Sequence, residues 1–171
     1  MPSPEKIALD RSRLAATLQE RRRAGQQVVF TNGCFDVIHV GHVRLLKFAR
    51  GLGDCLVVGV NADASVRRLK GPGRPILPLD QRLRVLAGFD AVSYVIPFEE
   101  DTPAALIETL HPDVLVKGGD YRSIEEVVGH EAVLGWGGRV ELAPLSGGAA
   151  THHVIEEILR RFAPASKSAG S

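Results

Sequence analysis

Thr31-Asn32-Gly33-Cys34-Phe35-Asp36-Val37-Ile38-His39-Val40-Gly41-His42 decides how this chain is read. The apolar run Gln27-Val28-Val29-Phe30 before it predicts a short buried strand, and Val43 to Arg50 after it predicts a helix. A strand that empties through a glycine-containing loop into a helix is a place to hold phosphate, because the helix start presents N–H groups and a positive dipole end. The loop lacks Gly-x-Gly-x-x-Gly and Gly-Lys-Ser/Thr, so it is neither a dinucleotide fingerprint nor a Walker-type loop. What it offers is a pair of histidines. His42, Leu45, Leu46 and Ala49 share one helical face, which puts His42 at the top of the inward stripe, while His39 lies near the cap. Gly41 has no side chain and lets an anion approach the backbone. Two imidazoles plus free amide donors suit a phosphate that gains charge in a transition state.

Working outward, Asp10 caps an expected helix to about Arg23, with Leu14, Ala15 and Leu18 on one face and Gly25 as its stop. Residues 1–9 read as a flexible lead. Cys55 to Val60 is a continuous apolar run, as expected of a strand buried on both faces. A short helix should follow Asn61-Ala62-Asp63 as far as about Arg68, then a Gly/Pro loop, Leu69 to Pro75, then a helix from Leu79 to about Ala87. Val92 to Phe98 predicts the third strand, Pro103 the first position of a helix ending at His111-Pro112, and Asp113 to Lys117 the fourth strand. A helical piece over about Glu125 to Leu134, a fifth strand at Arg139 to Leu142 and an amphipathic helix from Thr151 to about Arg161 complete the domain. In that last helix Val154, Ile155 and Ile158 are expected to face inward, and residues 163–171 read as a disordered tail.

Strands alternating with helices at this spacing imply right-handed crossovers. The expected fold is a single α/β, doubly wound (Rossmann-like) domain over residues 10–162, with a five-stranded parallel sheet in the order 3-2-1-4-5. Ligands of such sheets bind beyond the strand C-termini, where the order reverses. Three loops with unusual chemistry lie there: Thr31–His42, Asn61–Asp63 and Lys117–Tyr121.

Composition narrows the classes. A chain of 171 residues with 44% hydrophobic residues and a net charge of +1 is an ordinary globular domain, without the basic excess of general nucleic-acid or membrane binders. No apolar run approaches the roughly 20 residues of a membrane span, and the first residues lack an apolar signal core. Two distant cysteines make neither a disulfide framework nor a zinc cluster, which points to the cytoplasm. The histidine pair has no third metal ligand close in sequence, so no protein metal site is expected. Cys34 reads as a small loop residue rather than a nucleophile. Lys117 and Asp120 alone suit an exposed loop-tip pair, and Lys70 and Arg74 solvated charges; together they supply the cations a triphosphate requires.

His39-Val40-Gly41-His42 after Asn32-Gly33-Cys34-Phe35-Asp36 resembles the signature of the cytidylyltransferase-like nucleotidyltransferases. Within that superfamily, Phe30 to Leu46, Val60 to Val66, Leu69 to Ile76 and Pro112 to Tyr121 resemble the adenylyltransferases of ADP-heptose synthesis, which occur stand-alone or as half of a bifunctional kinase/adenylyltransferase. The resemblance spans roughly residues 10 to 160 and no kinase half is present. It implies transfer of AMP from ATP to D-glycero-β-D-manno-heptose 1-phosphate, with Mg²⁺ arriving on the ATP phosphates; a homodimer is expected only as the commonest assembly of such chains in general. It further implies that His39, His42 and Lys70 are catalytic. The nucleotide would be bound by Thr31, Asn32, Gly33, Cys34, Phe35, His39, His42, Lys117, Gly118, Asp120, Tyr121 and Thr151. Asp36, Asn61, Asp63, Lys70 and Arg74 would meet the sugar phosphate, Lys70 and Arg74 from a mobile loop.

One departure is visible. The family closes with Gly-x-Ser-Thr-Thr, and here the run is Gly148-Ala149-Ala150-Thr151-His152, so Thr151 keeps one hydroxyl and His152 replaces another. His152 as a phosphate donor would make nucleotide affinity fall as pH rises. Glycerol-3-phosphate cytidylyltransferases share the histidine motif but carry an arginine before the closing run, where Leu145 to Gly148 has none. A non-catalytic nucleotide-binding module is the alternative of another class, opposed by the presence of both histidines.

Overall fold

The computed structural model describes residues 6–119, 121–144 and 151–162. Its sheet has five parallel strands in the order β3-β2-β1-β4-β5: β1 Val28–Gly33, β2 Cys55–Asn61, β3 Tyr94–Phe98, β4 Val114–Lys117 and β5 Arg139–Leu142. The expected order is the observed one. β2 is buried along its whole length because it lies between β1 and β3 with helices over both faces, which is why its sequence is a continuous apolar run.

The helices are α1 Arg11–Arg23, α2 Val40–Arg50, α3 Asp63–Lys70, α4 Leu79–Ala87, α5 Ala104–Leu110, α6 His130–Gly135 and α7 Thr151–Phe162. Leu45, Leu46 and Ala49 of α2 and Leu83 and Leu86 of α4 pack with Val29, Leu56 and Val58 on one face of the sheet. Leu14 and Leu18 of α1, Leu106, Ile107 and Leu110 of α5 and Val133 of α6 pack with Phe30, Val57 and Leu115 on the other. The alternation of side chains along β1 and β2 sends neighbouring residues to opposite layers, so each strand feeds both cores.

Several boundaries differ from the sequence reading. β1 continues through Thr31, Asn32 and Gly33, paired with Val58, Gly59 and Val60, so the loop proper starts at Cys34. α2 starts at Val40 rather than Val43, because His39 supplies a cap. α3 reaches Lys70 and stops at Gly71, whose φ of +99° is the left-handed conformation that glycine adopts without strain. Lys70 is thus the end of a helix and not part of the following loop. Pro103 is the cap residue of α5 and not its first helical residue. The expected helix over 125–134 is split into a short 3₁₀ turn, Ile124–Glu126, and α6, with Gly129 at φ +90° between them. Ile158 of α7, expected inward, is 51% exposed, since α7 lies against the body mainly at its start. At the N-terminus, Ile7 bridges Val95 in parallel and Ala8 N–H donates to Val95 O (2.9 Å). The tail from 163 and the closing residues 148–150 lie outside the described residues.

Candidate active site

The order reverses between β1 and β4, and the residues of interest sit around the C-termini of β1, β2 and β4. Phe35 turns the chain out of β1 with a φ of 48°, a left-handed conformation that costs a non-glycine residue about 1–2 kcal/mol. Its ring is buried and packs on His42, with centroids 5.2 Å apart.

The histidines form a reciprocal cap. His39 Nδ1 accepts from Gly41 N–H (3.1 Å), and His42 Nδ1 accepts from His39 N–H (3.3 Å). The N–H groups of His42 and Val43 donate to His39 O. The N–H groups of Gly41, His42 and Val43, three of the first four of α2, are therefore already used, so this helix start offers fewer backbone donors than expected from sequence. Each Nδ1 accepts an N–H, so each neutral ring carries its proton on Nε2. The two rings lie 3.9 Å apart at 33°. Burial lowers the His39 pKa; burial, then the neighbouring His39, takes His42 down to about 4. The result is two neutral imidazoles with Nε2–H donors, their tautomers set by the helix cap.

Lys117 ends β4 at 9% exposure, not at an exposed loop tip. Its Nζ donates to Asn32 Oδ1, and burial pulls its pKa down to about 8. No carboxylate among the described residues pairs with it. A buried ammonium left this way gains from any anion that enters. Thr31 Oγ1, also buried, has no hydrogen-bond partner among the described residues.

Asp36 is 1% exposed and saturated. Its oxygens accept from Arg74 Nε (2.6 Å), Ile76 N–H (2.8 Å) and Leu77 N–H (2.8 Å). Burial pushes the carboxyl up, but those N–H groups and the guanidinium outweigh it and its pKa lies below the ordinary value. Asn61 and Asp63 are also engaged internally: Asn61 Nδ2 donates to Ser65 Oγ (2.9 Å) and Asp63 pairs with Arg82 (2.7 Å). Asp36 thus has both carboxylate oxygens committed within the fold, and Asn61 and Asp63 each have one side-chain polar atom so engaged. Cys34 shows the local field. Burial raises its thiol pKa, while Lys70, Arg82 and Arg74 act to lower it, so three cations lie close enough to be felt at this loop.

Gly118 and Tyr121 follow β4, with Tyr121 packed at the edge of the second core; Asp120 lies outside the described residues. Thr151, the first residue of α7, is the described part of the closing run that reaches the histidine loop, its Oγ1 donating to Val37 O (3.4 Å). His152 is exposed, its ring 4.0 Å from that of His153. Arg82 was missed by the sequence reading. The signal was present: positions 79, 82, 83 and 86 are one helical stripe, and an arginine stands among three leucines.

The fold and this switch-point site define a nucleotide-handling α/β domain. The chain belongs to the cytidylyltransferase-like family, whose model matches residues 30–143, from within β1 to just after β5. Membership makes it a nucleotidyltransferase. The bifunctional protein HldE of Syntrophotalea carbinolica is 55% identical over 152 residues, which is 89% of this chain and 31% of that protein. The HldE of Citrifermentans bemidjiense is 56% identical over 149 residues, 87% of this chain and 30% of that protein. The chain thus spans about a third of the length of these curated relatives. Among solved structures, the lipopolysaccharide core biosynthesis protein of Thermoplasma volcanium matches with a TM-score of 0.59 and 29% identity, over 73% of this chain and all of that one. Pantoate–β-alanine ligase of Francisella tularensis shares the fold at a TM-score of 0.60 and 15% identity, over 83% of this chain and 67% of that one.

Proposed function

We propose that the chain transfers AMP from ATP to D-glycero-β-D-manno-heptose 1-phosphate, giving ADP-heptose and pyrophosphate. The sugar phosphate oxygen attacks the α-phosphorus, the bond to the bridging oxygen breaks, and pyrophosphate leaves with the electron pair. No covalent enzyme intermediate is needed, so the protein contributes position and charge stabilisation.

The observation that carries this reading is the neutral histidine pair. The Nδ1 atoms of His39 and His42 are held by the helix start, which leaves Nε2–H as the donor of each ring, so a phosphate gaining charge meets donors that need no reorganisation. Lys117 supplies a buried positive charge beside Asn32 for the nucleotide phosphates. Lys70 and the free ends of Arg74 take the outer or acceptor phosphates. Thr31, Gly33, Cys34, Phe35, Gly118, Asp120, Tyr121 and Thr151 line the nucleotide. Asp36, Asn61 and Asp63 act on the substrate through the walls they hold. Identity above 50% to HldE proteins supports the choice of ATP and heptose phosphate.

Mg²⁺ enters in this reading as the ATP complex, held by phosphate oxygens. The support is that the Asp36 carboxylate is taken up by Arg74 and one oxygen of Asp63 by Arg82. A cytoplasmic location, read from two distant cysteines without a metal or disulfide pattern, and no nucleic-acid partner, read from the near-neutral charge, belong to the same proposal. No helix among the described residues is long and apolar enough to cross a membrane. A homodimer is supported by the exposed apolar side chains of α7, and a monomer in sedimentation at assay concentrations would remove it.

The decisive assay measures pyrophosphate release with Mg²⁺, each of the four nucleoside triphosphates and a panel of sugar 1-phosphates and glycerol 3-phosphate. Release with ATP and heptose 1-phosphate is expected. Release only with CTP and glycerol phosphate would overturn the assignment, and no release with any pair would favour a binding module.

A further inference from the structure

Arg82 is the largest fully buried side chain of the described residues, at 1% exposure in a helix stripe otherwise filled by leucines. Burying a guanidinium costs several kcal/mol unless its donors and charge are matched. Here they are matched by backbone more than by acid. Nη1 donates to Cys34 O (2.6 Å) and Asn61 O (2.8 Å), Nε to Leu77 O (3.0 Å) and Nη2 to Asp63 Oδ1 (2.7 Å). Three of the four acceptors are main-chain carbonyls, and they come from three separate segments.

Those segments are walls of the site. Cys34 begins the loop that leads through Phe35 to His39 and His42. Asn61 is the last residue of β2, at the start of α3 and thus of the helix that ends in Lys70. Leu77 belongs to the segment of Arg74, and its N–H is held by Asp36 from the same histidine loop. Asp36 and Arg82 therefore grip Leu77 from its two sides, N–H and C=O.

We propose that Arg82 is a positioning residue for nucleotidyl transfer: its planar fork sets the spacing between the histidine loop, the end of β2 and the Arg74 segment. It touches no substrate and acts through the main chain of these walls. A lysine cannot replace it, because a single ammonium nitrogen cannot reach four acceptors laid out around a plane. The inference rests on the proposed function for its kinetic arm but not for its spectroscopic one.

The test compares wild type with Arg82→Lys, Arg82→Met, Asp63→Asn and the exposed control Arg84→Lys. In ¹⁵N-labelled protein without substrate, the wild-type His39 and His42 rings should show Nε2 protonated and Nδ1 bare. Arg82→Lys should remain folded by circular dichroism yet shift these ring nitrogens toward mixed tautomers; Arg84→Lys should not. With substrates, kcat of Arg82→Lys should fall about 100-fold, the cost of a displacement on the order of 1 Å, with KM for either substrate changed far less. A folded Arg82→Lys with the wild-type ring pattern and kcat overturns the proposal. If Arg82→Lys does not fold, Asp63→Asn and Arg82→Met decide. Asp63→Asn keeps the three carbonyl contacts, so it should retain the wild-type ring pattern, and mixed tautomers there would assign the effect to the charge of Asp63 and overturn the fork. Arg82→Met, which fits the leucine stripe without a buried charge and removes all four contacts, should show mixed tautomers and a lost kcat. An unchanged ring spectrum with unchanged kcat in Arg82→Met overturns the proposal. Absence of transferase activity in the wild type would sink the function proposed above, while the ring spectrum would still report on Arg82.

Discussion

His39 uses its two ring nitrogens for separate purposes, which lets mutation separate them. Nδ1 caps α2 through Gly41 N–H, and Nε2–H is left for an anion. Asparagine is among the best N-caps, so His39→Asn should keep thermal stability near wild type while removing the donor. Its kcat should drop about 100- to 1,000-fold, the cost of losing one preorganised donor, with KM for ATP little changed. His39→Ala should lose the same catalysis and in addition about 1 kcal/mol of stability, read by urea denaturation. An Asn variant with wild-type kcat would remove His39 from the mechanism. The motif was legible as a phosphate-binding signature, but the tautomer was not, since it depends on where Gly41 N–H and His39 N–H point after the helix forms.

At the scale of elements, the segment between α3 and α4 is held by Asp36. Its carboxylate closes on Arg74, Ile76 N–H and Leu77 N–H with no exposure of its side chain, so removing it leaves three donors without their acceptor. Asp36→Ala should cost about 3 kcal/mol in equilibrium unfolding. It should also raise KM for the sugar phosphate more than for ATP, because Arg74 loses its orientation. Equal effects on both KM values would place Arg74 outside the acceptor site. This function of Asp36 could not be read from sequence, which shows an aspartate in a loop but not the main-chain N–H groups that reach it from forty residues away. Arg82 was legible in part: its place in the α4 stripe marks it as buried, while three of its four acceptors are carbonyls that carry no sequence signal. The face of α7 was read correctly at Val154 and Ile155, which are partly covered, and not at Ile158; Phe162, one turn on, is 78% exposed. Periodicity defines a helix face but not how far a neighbouring element extends beneath it.

For the whole molecule the buried titrating groups set the response to acid. His42 has a folded pKa near 4 against an ordinary value of 6.5, so the unfolded chain takes up the proton first and stability must fall as pH drops from about 6.5 toward 4. His39, also lowered, acts in the same direction. Asp36 is depressed below 3.8, so its contribution is present above that value and is lost only at lower pH. Urea midpoints measured from pH 7 to 3 should therefore decline in two stages. His42→Leu should flatten the first stage and leave the second; an unflattened first stage would mean that His42 is not held neutral by the fold. Bound nucleotide should flatten it as well, because phosphate favours the protonated ring.

The strand order and the parallel sheet followed from the chain itself. Continuous apolar runs at Cys55–Val60 and Val114–Val116, separated by helix-length stripes, admit few topologies once crossovers are right-handed. The histidine motif and the Lys117 block mark the reversal point because they directly follow the strands that flank it. What the tertiary structure alone decided is the division of labour among the polar residues. Asp36 turns to Arg74 and backbone N–H groups, Asn61 to Ser65 and Asp63 to Arg82, while Gly41, His42 and Val43 of α2 spend their N–H groups on the ring and carbonyl of His39, and Lys117 is left buried beside Asn32. Hydrophobic periodicity is a local property of the chain. Hydrogen-bond partners are not, since main-chain donors and acceptors are the same at every residue and only folding determines which side chain meets them.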